Sequence, residues 1–342
     1  MSVITPSEAL SILAKDSVVA LPTETVYGLA GRIHSEEALR LIFKTKARPF
    51  FDPLIVHVTG LKQALNYGDW DPLSEHLAKT FWPGPLTIIV KKKKNISSLI
   101  TSGGITVAFR APDHPNFQEI LSKVNGPLAA PSANRFGKTS PVSAQHVINE
   151  FQSQVPVVDG GFCQKGIEST VIEVDWEGQE VFILRPGVIT DQDLASQIDT
   201  KSFPFRVSYK KQINSPGHLK HHYQPEYPLT LAMGWTKQNQ LDELVAELEK
   251  KSNTPVHLWH LPKEPLLAAR SLYAELRTQS KPDIISVLAF NEDASLEPLW
   301  RALEDRIKKA ASREAHWDGS QWSHHEKEPD PNRASSDDPS HQ

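Results

Sequence analysis

Apolar positions along this chain recur with two periods. Runs at 18–21, 54–58, 86–90, 106–109, 128–130, 155–158, 170–174 and 181–184 are β-branched or continuously apolar, which predicts strands. Between them, 36–45, 73–81, 115–124 and 144–151 space their apolar residues as one face of a helix does. The last strands follow one another without helices, so the expected sheet is mixed, unlike a regular parallel βαβ array. After Gly187 comes a short helical patch and then 200–227, rich in Pro, Lys and His and without clear periodicity, which reads as a linker. Segments 229–235, 240–250, 256–260, 266–278, 284–290 and 296–311 read β-α-β-α-β-α, a small three-layer, Rossmann-like α/β domain with a parallel sheet. From about residue 314 the chain has almost no aliphatics and is expected to be disordered. The expected division is therefore 1–199, a linker at 200–227, a small domain at 228–313 and a tail at 314–342.

Composition narrows this picture without changing it. A length of 342 residues favours two domains, and 39% hydrophobic with 23% charged residues describes a soluble globular protein. A single cysteine, Cys163, excludes an internal disulfide framework and a Cys-rich zinc site, and fits a reducing cytoplasm. The N-terminal MSVITPSEALSILAKDS lacks a basic region followed by an apolar core, and no run approaches the ~18 apolar residues of a membrane span. No membrane attachment is expected. Net charge is −4 and the pI about 6.4, so there is no global basic field and no stable nucleic-acid binding is expected. Residues 91–94 are four lysines closing a strand and read as a solvated strand end. The histidines show no H-E-x-x-H spacing, so no dedicated metal site is expected.

The candidate chemistry sits in two turns. Lys46-Ala-Arg48-Pro49 offers a compact cation and a planar fork of donors, and Pro131-Ser132-Ala-Asn134 offers two short hydrogen-bonding side chains. Together they suit a phosphate-rich ligand without a P-loop; a solvated helix end and an ordinary turn are the alternatives. Arg110 ends a strand beside Pro112 and can present a bidentate fork to a carboxylate or form a surface ion pair. His57, in an apolar strand, is a binding residue or a satisfied core histidine. The block Gly166-Ile-Glu-Ser-Thr-Val171 lacks G-x-S-x-G spacing and a paired histidine, so no covalent nucleophile is expected.

Taken in order, these turns and the blocks LPTETVYGL (21–29), PLIVHV (53–58), WPGPLT (82–87), VAFRAP (107–112), GIESTV (166–171), LRPG (184–187) and SPGHLKHHY (215–223) resemble the threonylcarbamoyl-AMP synthase family in its long two-domain form. The resemblance implies a YrdC-like twisted mixed sheet around a large cavity. It also implies condensation of L-threonine, bicarbonate or CO2 and ATP, with Mg2+, to threonylcarbamoyl-AMP and pyrophosphate, for a downstream tRNA threonylcarbamoyl transferase. By the same resemblance, Lys46 and Arg48 are catalytic, and Arg48, Asp52, Thr106, Ser132, Asn134, Ser140, Arg185 and Tyr223 bind ATP. Thr25, His57, Arg110, Ala130 and Ser169 form the threonine pocket, and the linker covers the site with Tyr223 against ATP. Two departures stand out: Asp52 replaces a usual Asn, and either helps hold Mg2+ or points away, while the Glu304–Ala311 stretch keeps only part of the family's C-terminal motif. The competing readings are an RNA-binding YrdC-like module without catalysis and a carbamoyltransferase. The acidic pI counts against the first and the absence of cysteine-rich modules against the second.

Overall fold

The computed structural model describes residues 3–198, 202–210, 222–279, 281–290 and 297–327. Its first sheet contains β1 (Val3–Ile4), β2 (Val19–Leu21), β3 (Gly28–Arg32), β4 (Ile55–His57), β5 (Gly68–Asp69), β6 (Leu86–Lys92), β7 (Thr106–Arg110), β8 (Leu128–Ala129), β9 (Val157–Val158), β10 (Thr170–Asp175), β11 (Glu180–Arg185) and β12 (Arg206–Tyr209). The order is β1-β9-β2-β3-β8-β4-β7-β6-β10-β11-β12, with β5 on β6. Pairing is mixed: β4–β7 and β6–β10 run parallel, while β2–β3, β6–β7 and β10–β11 run antiparallel. Strand periodicity divides the buried side chains between two faces. Val19 and Leu21 pack with Phe117, Ile120 and Leu13, whereas Ala20 and Leu29 belong to the larger core on the opposite side.

The second sheet contains β13 (Leu229–Met233), β14 (Val256–His260), β15 (Ile285–Ala289), β16 (Arg313–Trp317) and β17 (Trp322–Glu326), in the order β14-β15-β13-β16-β17. Leu241 and Leu244 of the helix Gln238–Ser252 pack on Ala232, Val287 and Ala289. Leu231, Met233 and Leu288, from the other face, join the core shared with the helices Pro265–Thr278 and Pro298–Ala310. The three-layer expectation holds, but the expected parallel sheet ends in an antiparallel strand, β17 on β16; the layer formed by those two helices lies against the first domain.

Two expected boundaries are corrected. Residues 313–326 are paired strands, although composition suggested a disordered tail from 314. Tryptophan supplies the apolar area that aliphatics do not: Trp317 and Trp322 meet edge to face at 5.6 Å, and Trp322 Nε1 donates to the Gln240 carbonyl at 2.8 Å. Residues 328–342 lie outside the described residues. Part of the expected linker is β12, which pairs parallel with β11. Tyr209 fixes its end by donating to Asp191 Oδ1 at 3.0 Å, with the Arg301 guanidinium over its ring. Residues 211–221 also lie outside the described residues. No helix among the described residues is long and apolar enough to cross a membrane.

Candidate active site

The two turns singled out by sequence do meet, with Lys46 as the fastener. In the helix Glu36–Lys46, Leu39, Ile42, Phe43 and Lys46 share the buried stripe. Lys46 Nζ donates to the carbonyls of Ser132 and Asn134, each at 2.5 Å. Burial, with Arg48 nearby, pushes its pKa down to about 7. Ala47 then takes a left-handed conformation, φ 49°, which ends the helix and redirects Arg48. Arg48 donates through Nε to the Asp52 carbonyl at 3.1 Å and through Nη2 to the Pro53 carbonyl at 2.9 Å. Its Nη2 also pairs with Asp52 Oδ1 at 2.9 Å. The other Asp52 oxygen is buried without a hydrogen-bond partner among the described residues, and burial raises the pKa of this carboxyl. Asp52 therefore points at Arg48, leaving one oxygen for a cation or a water. The Asn134 amide donates to the Arg135 and Lys138 carbonyls at 2.7 and 2.8 Å, and its Oδ1 has no partner among the described residues.

Arg48, His57, Arg110, Ala130, Ser132, Ser169 and Arg185 line one cavity, joined by Glu168 and His222. Arg110, at the end of β7, is in a buried pair with Glu24, Nη2 to Oε1 2.8 Å, so it is neither a surface ion pair nor unpartnered. Glu24 Oε2 accepts from the Asp113 amide at 3.0 Å. Beside Glu24, Thr25 is fully buried and shares a 2.8 Å hydrogen bond with the Thr23 hydroxyl. His57 packs on Phe117, and burial together with Arg110 holds its pKa at about 3. A neutral ring with Nδ1–H donated to the Ile55 carbonyl, 3.2 Å away, leaves Nε2 as an acceptor. His57 is thus packed in the core and also lines the cavity.

On the opposite wall, Arg185 donates from Nε to the Ser169 carbonyl and from Nη2 to Ser169 Oγ, both at 3.0 Å, and the Ser169 hydroxyl also bonds Thr87 at 2.7 Å. Ser140 stands one bond back, donating to Glu168 Oε1 at 2.6 Å. Tyr223 is fully buried and stacks on Tyr273 at 5.5 Å between centroids, while its neighbour His222 lines the cavity. Thr106 is not brought to this place: it begins β7, four residues or about 13 Å of extended chain from Arg110, and pairs with Lys91.

The resemblance implied a large cavity, and this one is narrow. Its volume is about 50 Å³, room for a few waters, because buried side chains including His222 fill it. A larger open groove, about 880 Å³, runs along the helix Ala144–Phe151 past Arg277 and contains none of the expected site residues.

Sequence reading assigned no role to Glu24, Glu168, Tyr273 or Arg306. Arg306 left a signal: it occupies the apolar stripe of its helix with Leu299, Leu303, Ile307 and Ala310. Glu168 and Tyr273 left none beyond the quoted block and ordinary helical burial.

A mixed α/β domain whose narrow cavity gathers three buried arginines, backed by a second α/β domain, defines a class of enzymes acting on anionic substrates. Residues 11–187 match the family described as Telomere recombination, which groups the Sua5, YciO and YrdC proteins, and 189–312 match the Threonylcarbamoyl-AMP synthase C-terminal domain. The chain is 32% identical to the Threonylcarbamoyl-AMP synthase of Pyrococcus abyssi, over 89% of this chain and 93% of that protein. It is 36% identical to that of Bacillus subtilis, over 71% of this chain and 70% of that protein. The crystal structure of P. abyssi Sua5 complexed with L-threonine superposes with a TM-score of 0.79 at 31% identity, covering 90% of this chain and 94% of that one. The chain belongs to the threonylcarbamoyl-AMP synthase family, in its two-domain form.

Proposed function

We infer that this chain condenses L-threonine, bicarbonate or CO2 and ATP to threonylcarbamoyl-AMP and pyrophosphate, for the modification of tRNA adenosine 37 in the cytoplasm. The observation that carries the assignment is the convergence of Arg48, Arg110 and Arg185 on one cavity. Each substrate brings negative charge: a carboxylate, a carbamate and a triphosphate. Threonine's amine captures CO2, losing a proton; a carbamate oxygen then attacks the α-phosphorus of ATP, and the bond to the β-phosphate oxygen breaks as pyrophosphate leaves. Catalysis comes from positioning, which can supply about 7–11 kcal/mol, and from charge stabilisation.

Arg110 takes the threonine carboxylate by exchanging part of its contact with Glu24. His57 Nε2 and Ser169 accept or share hydrogen bonds with the amino acid's polar end, and Ala130 gives its methyl a small apolar wall. Arg48, Arg185, Ser132 and Ser140 serve the nucleotide, and Lys46 supports them by fixing the 132–134 turn. Mg2+ would neutralise phosphate charge, held by phosphates and water, with the unpartnered Asp52 oxygen as the fitting protein donor. A cavity of about 50 Å³ is too small for ATP, and withdrawal of His222 from its wall would enlarge it, the lid role expected of the linker. The test is pyrophosphate release with threonylcarbamoyl-AMP followed by mass spectrometry. Release must require threonine and bicarbonate together; release with ATP alone, or no adduct, rejects the assignment.

A further inference from the structure

The second domain reaches the cavity through two side chains. Arg306, fully buried, donates from Nε to Glu168 Oε2 at 3.3 Å and from Nη1 to the Pro186 and Ala302 carbonyls. From the neighbouring helix, Tyr273 donates its hydroxyl to the same Glu168 oxygen at 2.7 Å. The other oxygen accepts from Ser140, a first-domain residue, at 2.6 Å. One carboxylate therefore joins the two domains and lines the cavity at the same time. The backbones are in contact here too: a Cβ on Gly166 would lie 2.5 Å from the Ala269 carbonyl oxygen, so the helix Pro265–Thr278 rests directly on the turn that carries Glu168.

We propose that Arg306 and Tyr273 are positioning residues for the nucleotide side of the cavity, acting through Glu168 to hold Ser140 and Arg185 in place. The inference rests on the activity assigned above. A carboxylate buried without a cation is strongly unfavourable, so Glu168 must take one from its surroundings. Arg185 is close enough that the two charges act on each other. With Arg306 in place, Arg185 keeps its two bonds to Ser169. Without it, Glu168 draws the Arg185 guanidinium towards itself and presents uncompensated negative charge to the phosphates. Tyr273 supplies a hydrogen bond alone, so its contribution is smaller. The same two residues brace Tyr223, whose ring stacks on Tyr273 and lies 5.8 Å beneath the Arg306 guanidinium. The second domain thus shares in ATP affinity without touching the reacting atoms.

The full-length variants Arg306→Gln, Tyr273→Phe, Glu168→Gln and the double variant Arg306→Gln/Glu168→Gln are compared in three measurements: pyrophosphate release, calorimetric titration with ATP, and thermal unfolding. Arg306→Gln is expected to raise both KM and Kd for ATP about tenfold, with KM for threonine moving far less. Tyr273→Phe raises them about threefold. Adding Glu168→Gln to Arg306→Gln recovers most of the loss, because the uncompensated charge is gone. A folded Arg306→Gln with wild-type ATP affinity overturns the proposal. So does a defect that Glu168→Gln leaves unrelieved, since a merely structural Arg306 would give that result. If Arg306→Gln fails to fold, Tyr273→Phe decides: unchanged ATP affinity overturns the proposal, and a raised Kd supports it. Should the wild type release no pyrophosphate with threonine and bicarbonate, the activity assignment fails, and the calorimetric series still decides the role of Arg306.

Discussion

Arg110 has a partner before any substrate arrives, and that determines what its removal does. Arg110→Ala should weaken threonine binding by about tenfold or more, the loss of a charge-assisted fork, with ATP affinity nearly unchanged. It also strands Glu24, 3% exposed, at a stability cost of about 3–5 kcal/mol. Arg110→Ala/Glu24→Gln should regain much of the stability but none of the threonine affinity, as read by denaturant unfolding and calorimetry. Equal losses for threonine and ATP would reject the assignment. Lys46 and Arg48 should separate in the same way. Arg48→Ala raises the ATP requirement directly, whereas Lys46→Met chiefly loosens the 132–134 turn, lowering stability with a smaller effect on ATP Kd. Identical kinetic defects with unchanged stability would make Lys46 a phosphate ligand after all. That Lys46 is buried was legible, since it continues the stripe of Leu39, Ile42 and Phe43. Its partners were not, because the carbonyls it bonds lie 86 and 88 residues away.

At the level of elements, packing of the helix Pro265–Thr278 on the 166–168 turn leaves no room for a side chain. Gly166 has φ +74° and its missing Cβ would meet the backbone of Ala269 and Arg270 at 2.5 Å. Gly166→Ala should therefore cost about 2–4 kcal/mol, from left-handed strain and overpacking together, and should raise KM for ATP by displacing Glu168. Thermal unfolding and steady-state kinetics check this; a variant as stable as wild type would mean the two domains are not held here. Most of the long helices and strands were legible from apolar spacing. The short β3 and β12 were not, because four or five residues carry too little periodicity to distinguish from a turn. The Trp317–Trp322 hairpin was missed because its apolar area comes from two aromatics in a polar stretch.

For the whole molecule, His57, His222 and Glu168 predict lability to acid. His57 and His222 have folded pKa values of about 3 because burial disfavours the charged ring, so the unfolded chain binds protons first. Their contribution is complete above about pH 6.5 and is lost as pH falls from 6.5 towards 3, at up to about 1.4 kcal/mol per pH unit for each. Burial opposes the Glu168 charge, but Arg306 and Arg185 hold its pKa at about 2, so its share disappears between about pH 4.5 and 2. Urea unfolding between pH 3 and 8 should show this slope, and His57→Gln/His222→Gln should flatten it above pH 4; an unchanged slope would mean that other groups carry it. The sequence by itself determined the family, the succession of strands and helices, and most of the residues around the cavity, because apolar periodicity and short motifs are local properties of the chain. Only the tertiary structure decided that Asp52 pairs with Arg48, that Arg110 pairs with Glu24, that the cavity is narrow, and that Arg306 and Tyr273 reach Glu168 from another domain. Those facts depend on which buried charge finds which partner, whether four residues away, as Asp52 and Arg48 are, or 138, as Arg306 and Glu168 are, and local pattern carries no record of that choice.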